Sequence, residues 1–132
     1  MQINLPDVVA EVSAAFARYE KALVTNDTVV LDELFRTADE TVRFGIAENL
    51  FGIEAIRAFR SQRPAINLAR EVIRTNITTY GRDFATTAIT FHRESAPGKV
   101  GRQMQSWVRF PEGWRIVAAH VSVIPTPADE RQ

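Results

Sequence analysis

The sequence predicts one α+β domain in which N-terminal helices pack on an antiparallel sheet. Three observations lead there. Apolar residues recur at helical spacing through the first part of the chain; from Glu71 onward the chain is rich in Thr, Ile, Val, Phe and Tyr with turn signals between runs; and 132 residues with 45% hydrophobic content suit a single core. No composition shift, repeat or low-complexity tract marks a second unit, so the domain is read as 1–132. The polar stretch from Pro125 to Gln132, twice interrupted by Pro, is expected to fray.

Leu5-Pro6-Asp7 opens the first helix. Pro is tolerated in a first turn whose N–H groups are unpaired anyway, and the Asp7 carboxylate favours the positive end of the helix dipole. Val8, Val12, Ala15, Phe16, Tyr19 and Leu23 form one face that must be covered, and this helix runs to about Thr25. Asn26-Asp27 then caps a shorter helix carrying Val30, Leu31, Leu34 and Phe35, which completes an αα-hairpin. Thr41 to Phe44 reads as a strand, and Gly52 to Arg63 as a third helix with Ile53, Ile56 and Phe59 on its apolar stripe and Pro64 as its stop.

Four long strands follow. Tyr80-Gly81-Arg82-Asp83 suits a two-residue hairpin turn, and Ala96-Pro97-Gly98 makes the next reversal. In Phe110-Pro111-Glu112-Gly113-Trp114, Pro at the first loop position and Gly at the third fit a three-residue loop with a bulge. Antiparallel counting from that loop sets Phe110 near Trp114, Val108 near Ile116, Ser106 near Ala118, Met104 near His120 and Arg102 near Ser122, all on one face. The face grades from apolar to polar, as the wall of a pocket would. The opposite face, with Trp107, Val117, Val121 and Val123 among Gln103, Gln105, Arg109 and Arg115, is expected to join two copies in a homodimer. A four-residue loop would exchange the faces of one strand.

Composition narrows the function classes. Sixteen basic and sixteen acidic side chains cancel, so no net field draws the protein to nucleic acid or to an anionic membrane. The absence of cysteine removes disulfides, thiolate nucleophiles and sulfur-ligated zinc, and points to the cytoplasm. Neither a signal peptide nor an apolar run of membrane-spanning length is present. The nucleophile elbow, the P-loop, the dinucleotide glycine fingerprint and the helical zinc motif are missing too, and His92 and His120 lie on different strands, so a site without metal or cofactor is expected.

Several residues remain as candidates. Tyr19 reads either as a core aromatic or as a phenol at the end of an apolar cavity, where it can donate to developing negative charge without being charged itself. Arg43, between Val42 and Phe44 in a strand, must find an anion if it turns inward. It clamps a bound carboxylate or forms a structural ion pair, with Glu48 nearest in sequence. Ser106 and His120 lie on the expected pocket wall, although a sheet histidine is commonly structural. Arg57, Arg60 and Arg63 form a solvated face of the third helix, from which Arg60 or Arg63 can bend over the pocket rim to bind substrate.

The order of elements, the Tyr on the first helix and the closing run from Gly113 to Ser122 resemble the SnoaL-like superfamily, which includes ketosteroid isomerase. The segments Phe16–Leu23, Leu31–Phe35, Glu48–Gly52, Thr78–Ala85 and Gly101–Arg109 are similar to the AtzH-like branch, related to the HpxZ oxalurate-catabolism proteins, over nearly the whole chain. The resemblance implies a cone-shaped SnoaL-like fold, in which the N-terminal helices pack on a curved antiparallel sheet and enclose a pocket. It also implies a role beside amidases in the breakdown of nitrogen heterocycles such as cyanuric acid, and decarboxylating hydrolysis of 1,3-dicarboxyurea to allophanate. The Tyr and Arg that the branch places in its pocket map onto Tyr19 and Arg43, whereas the acid and base of ketosteroid isomerase have no matching motif. The reading that results is a cofactor-independent enzyme acting on a small dicarboxylated urea. A non-catalytic carboxylate-binding module, or an accessory dimer assisting a partner amidase, is the alternative.

Overall fold

The stripe on the first helix is the face that becomes buried. In the computed structural model, which describes residues 1–130, α1 spans Pro6–Val24 and buries Val8, Val12, Phe16, Tyr19, Ala22 and Leu23. Helix α2, Thr28–Leu34, begins where Asp27 Oδ1 accepts the Val30 N–H at 3.2 Å, and Leu31 and Leu34 face the core. Phe35 lies just past this helix in extended conformation, bridged to Ile116. Strand β1, Val42–Phe44, turns back through Gly45 into β2, Asn49–Phe51, and α3 follows at Ile53–Gln62. The long strands are β3, Glu71–Tyr80; β4, Phe84–His92; β5, Lys99–Phe110; and β6, Gly113–Pro125.

The sheet has six strands in the order β2-β1-β6-β5-β4-β3. It is mixed rather than wholly antiparallel, because β1 runs parallel to β6, with Arg43 opposite Ala119. The helices cover one face. Irregularities in pairing between Val72 and Arg74 and between Ser106 and Trp107 add residues to one strand of a pair, the device that bends a sheet around its contents. No helix among the described residues is long and apolar enough to cross a membrane.

Two hairpins differ from the sequence reading, and the second difference matters. Tyr80 pairs with Phe84 across a three-residue loop, in which Gly81 takes φ +62°. At the last hairpin, Phe110 pairs with Gly113 across the two residues Pro111 and Glu112, and Gly113 takes φ +125°. Trp107 therefore meets Ile116, and Val117 is the extra residue of a bulge, beyond which Ser106–Ala118, Met104–His120 and Arg102–Ser122 pair as expected.

The bulge shifts the inward set of β6 from Trp114 and Ile116 to Ala119 and Val121. Along β5, and along β6 beyond the bulge, the faces are consequently the reverse of those expected, while Trp114 and Ile116 face inward as expected. Trp107, Gln103, Gln105 and Val121 point into the protein, while Met104, 60% exposed, looks outward with Ser106 and His120. The glutamines that made the inner face look like a surface accept hydrogen bonds within the protein through their side-chain oxygens. Thr87 Oγ1 and Trp107 Nε1 donate to Gln105 Oε1 at 3.0 and 3.2 Å. Trp107 and Val121 thus belong to the protomer core and cannot form a dimer face.

At the C-terminus, in the stretch expected to fray, the Thr126 N–H donates to Gly98 O at 3.0 Å and Ala128–Glu130 form a short 3-10 turn. Arg131 and Gln132 lie outside the described residues. Replacing Asp27 with Ala deletes the α2 cap and should lower unfolding free energy by about 1 kcal/mol. Chemical denaturation measures this, and an unchanged midpoint would show that the cap adds nothing.

Candidate functional site

Between α1, β1, α3 and the inner face of the sheet lies a cavity of about 300 Å³. Tyr19 and Leu23 enter it from α1, Arg43 from β1, Phe59 from α3, and Gln103 and Val121 from β5 and β6. The connection from α3 to β3 supplies Arg63, Pro64, Ile66 and Arg70, and Arg93 reaches in from the end of β4.

Tyr19 is buried, its ring 6.4 Å from those of Phe16 and Phe35, so the phenol is held by packing. Arg43 Nη1 donates to Glu48 Oε1 at 2.8 Å, and its guanidinium lies 5.5 Å from the Phe59 ring centroid. Arg43 is thus ion-paired, as the structural reading expects, and it also lines the cavity. A guanidinium has five N–H donors, so one bond to Glu48 orients the fork without exhausting it.

The other candidates separate. Arg63 lines the cavity, with its Nε and Nη2 buried and without a hydrogen-bond partner among the described residues. Arg60 turns instead to Asp32 and stacks 4.9 Å from the Phe35 centroid. Burial depresses its pKa and Asp32 opposes that, so its charge is already matched. Ser106 and His120 border a shallow depression on the outward face with Phe44 and Met104, away from the cavity. His120 packs edge-on against Phe44 at 6.0 Å. The register that set these two on the wall was right from Ser106 to Arg102, but the wall is the opposite face.

Four residues of the site were not singled out from the sequence: Glu20, Arg70, Arg93 and Gln103. Glu20 takes a bidentate ion pair from Arg70, with Nε at 3.2 Å from Oε2, and Arg70 Nη2 also donates to Gln103 Oε1 at 3.1 Å. Arg70 and Arg93 both stack on Phe91, at 4.4 and 4.9 Å from its centroid. The available signal was strand alternation, since Phe91 and Arg93 are two residues apart and share the inward side.

The cavity is strongly cationic. Arg43, Arg63, Arg70 and Arg93 line it, whereas among the described residues only Glu48 and Glu20 pair with them, so two positive charges are left uncompensated there. The Arg63 guanidinium is held below the usual arginine range by burial first and then by Arg43 and Arg60. Arg93 is lowered likewise, by burial and then by Arg70 and Arg63. Arginine does not give up its proton in proteins, so these shifts express a cost of holding charge, relieved by an anion. Among the described residues no group of three or more His, Cys, Asp or Glu side chains gathers as a metal site would.

Two glycines make the arrangement possible. A Cβ on Gly45 would stand 1.7 Å from Glu48 Oε1, where that carboxylate anchors Arg43. A Cβ on Gly101 would stand 2.1 Å from Phe91 Cζ, beneath the ring that carries Arg70 and Arg93. Gly101→Ala should therefore destabilise the fold by roughly 1–3 kcal/mol through overpacking and weaken anion binding by displacing Phe91. Denaturation together with a carboxylate titration tests this, and a variant equal to wild type in both would contradict the packing described.

This architecture, helices over a bent mixed sheet with a cavity between, defines the NTF2-like, cystatin-like class of folds. An NTF2-like superfamily protein of Salmonella enterica matches it at a TM-score of 0.70 with 24% identity, over 96% of this chain and 98% of that chain. Within the class, the AtzH-like family model matches residues 1–127, and the chain belongs to the AtzH-like family. A protein of unknown function from the DUF3225 family of Pectobacterium atrosepticum is 58% identical over 92% of this chain and 94% of that chain, at a TM-score of 0.91. A cystatin-like fold protein from Burkholderia xenovorans is 50% identical over 96% and 99% of the two chains, at a TM-score of 0.92. No curated protein matches the sequence.

Proposed function

We propose that the protein is an enzyme catalysing decarboxylating hydrolysis of an N-carboxylated urea, converting 1,3-dicarboxyurea to allophanate in cyanuric acid or related nitrogen-heterocycle catabolism. The observation that carries the reading is a small cavity holding both Tyr19 and Arg43 with two uncompensated positive charges, which match a small dianion. Membership of the AtzH-like family supports the same substrate class.

In this reading Arg43, oriented by Glu48, holds a carboxylate of the substrate, and the Tyr19 hydroxyl faces the urea part. The bond between nitrogen and one carboxylate carbon breaks, its electron pair stays on nitrogen, and carbon dioxide leaves. Nitrogen takes one proton, which Tyr19 donates and water restores, so dicarboxyurea becomes allophanate and the carbon dioxide hydrates to bicarbonate. An N-carboxylate is already labile, so orientation and one placed proton suffice. A module that only holds a carboxylate would use the same arginines, and the rate of carbon dioxide release separates the two. The purified protein should release carbon dioxide from dicarboxyurea well above the spontaneous rate, and no acceleration would leave binding alone.

Tyr19→Phe keeps the ring and deletes the hydroxyl, so kcat should fall by roughly 10²-fold while the melting temperature stays close to wild type. Full activity in the folded variant would remove Tyr19 from the chemistry. Arg43→Lys keeps the charge but loses the planar fork and should weaken carboxylate binding by roughly 1–3 kcal/mol, measured by calorimetry. Unchanged binding would leave Arg43 as a structural partner of Glu48.

We propose further that two copies associate through the outward face of the sheet, where Met104, Phe84 and Phe51 are exposed. A monomer mass in solution at micromolar concentration would contradict this.

A further inference from the structure

We infer that Arg63, Arg93 and the side-chain amide of Gln103 form a second anion subsite in the cavity, which takes the other carboxylate of a short dianion and makes the site select dicarboxylates over monocarboxylates. The inference rests on the proposed function only for the identity of the natural substrate.

The argument begins with what is already committed. Arg43 is tied to Glu48, and Arg70 to Glu20 and Gln103. Arg63 and Arg93 differ: Arg63 Nε and Nη2 and Arg93 Nε are buried and lack any hydrogen-bond partner among the described residues. Gln103 adds a neutral donor. Its side chain is only 2% exposed, and because Arg70 can only donate, the atom facing Arg70 must be the amide oxygen. The Gln103 amide nitrogen is thus left as a buried donor without a partner on the cavity wall.

Every unsatisfied group here is a donor. A neutral alcohol or amine would bring donors of its own, whereas a carboxylate brings only acceptors and the matching charge. Arg63 comes from the end of α3 and Arg93 from the end of β4, so separate elements bring two like charges to the wall of one cavity. The fold gains nothing from buried guanidinium donors left without a partner, and a bound anion supplies one. Once one carboxylate has left as carbon dioxide, the product monoanion matches only one of the two subsites and is held less tightly.

Glutarate has the same three-atom spacer between its carboxylates as dicarboxyurea, and pentanoate replaces one carboxylate with a methyl group. Calorimetric titration of the full chain at neutral pH should show glutarate binding roughly 10-fold or more tighter than pentanoate. Arg63→Gln and Arg93→Gln should each bring glutarate to within a few-fold of pentanoate, with pentanoate affinity unchanged. Without ligand Arg63→Gln should melt at or above the wild-type temperature, because a buried charge without a partner is gone. Gln103→Glu supplies the missing anion from the chain and should melt higher while losing the glutarate preference.

Equal glutarate affinity in wild type and the arginine variants would overturn the inference, as would no preference in wild type. A lower melting temperature of unliganded Arg63→Gln would also overturn it, by marking a structural role. The two readings fail separately. Expected glutarate behaviour without acceleration of carbon dioxide release would refute the enzyme and leave the subsite. Acceleration with an unchanged KM in Arg93→Gln would do the reverse.

Discussion

A guanidinium cannot shed its proton at physiological pH, so every arginine turned into a buried cavity must be matched by an anion, from the chain or from a ligand. That constraint organises this molecule. The chain provides Glu48 for Arg43, Glu20 for Arg70 and Asp32 for Arg60, and provides no such partner among the described residues for Arg63 and Arg93. Paired arginines serve as fixed positioning groups. The unpaired ones supply the field that a small anion would feel on entering. Because this excess sits in a cavity of about 300 Å³ rather than on the surface, it coexists with a chain whose formal net charge is zero. Global charge speaks against a polyanionic partner, while local charge speaks for a small anionic one.

The scaffold is shaped to hold these charges close without letting them collapse onto each other. Phe91 receives two guanidiniums, and its ring fits only because position 101 is Gly. Gly45 leaves room for the Glu48 carboxylate to anchor Arg43, and the Ala47 N–H donates to its second oxygen at 3.2 Å. On the other side, the buried stripe of α1 fixes Tyr19 between Phe16 and Phe35, so the phenol is placed by the same packing that holds the helix to the sheet. Stability and site geometry are therefore coupled through a few side chains that do both.

The helices were legible from the sequence because their signals are local. Pro6, Asp27 and Pro64 mark boundaries by backbone chemistry, and the stripe through Val8, Val12, Phe16, Tyr19 and Leu23 follows from helical periodicity. Tyr19 and Arg43 were legible for related reasons, one as a polar tip on an apolar face and the other as a cation inside an apolar strand. The facing of the sheet was not legible. It turns on one residue, Val117, whose bulge corrects a hairpin one residue shorter than expected, and side-chain period in a strand is two. Ser106 and His120 were accordingly assigned to the wrong side. Strand β2 and the parallel pairing of β1 with β6 arise from contacts distant in sequence. The Glu20–Arg70 pair spans 50 residues and leaves no local pattern. Buried glutamines read as surface until their partners Thr87, Trp107 and Arg70 are known.

The proposed function puts a small dicarboxylate in the cationic cavity, with one carboxylate on Arg43 and the other at Arg63 and Arg93. A crystal structure of the protein with glutarate tests this most directly. The account predicts one carboxylate on the free N–H groups of Arg43, the other within hydrogen-bond reach of Arg63, Arg93 and the Gln103 amide, and a methylene next to a carboxylate, where a urea nitrogen would stand, nearest the Tyr19 hydroxyl. Glutarate bound on the outward face beside Ser106 and His120, or seated in the cavity with neither carboxylate on Arg43, would contradict it.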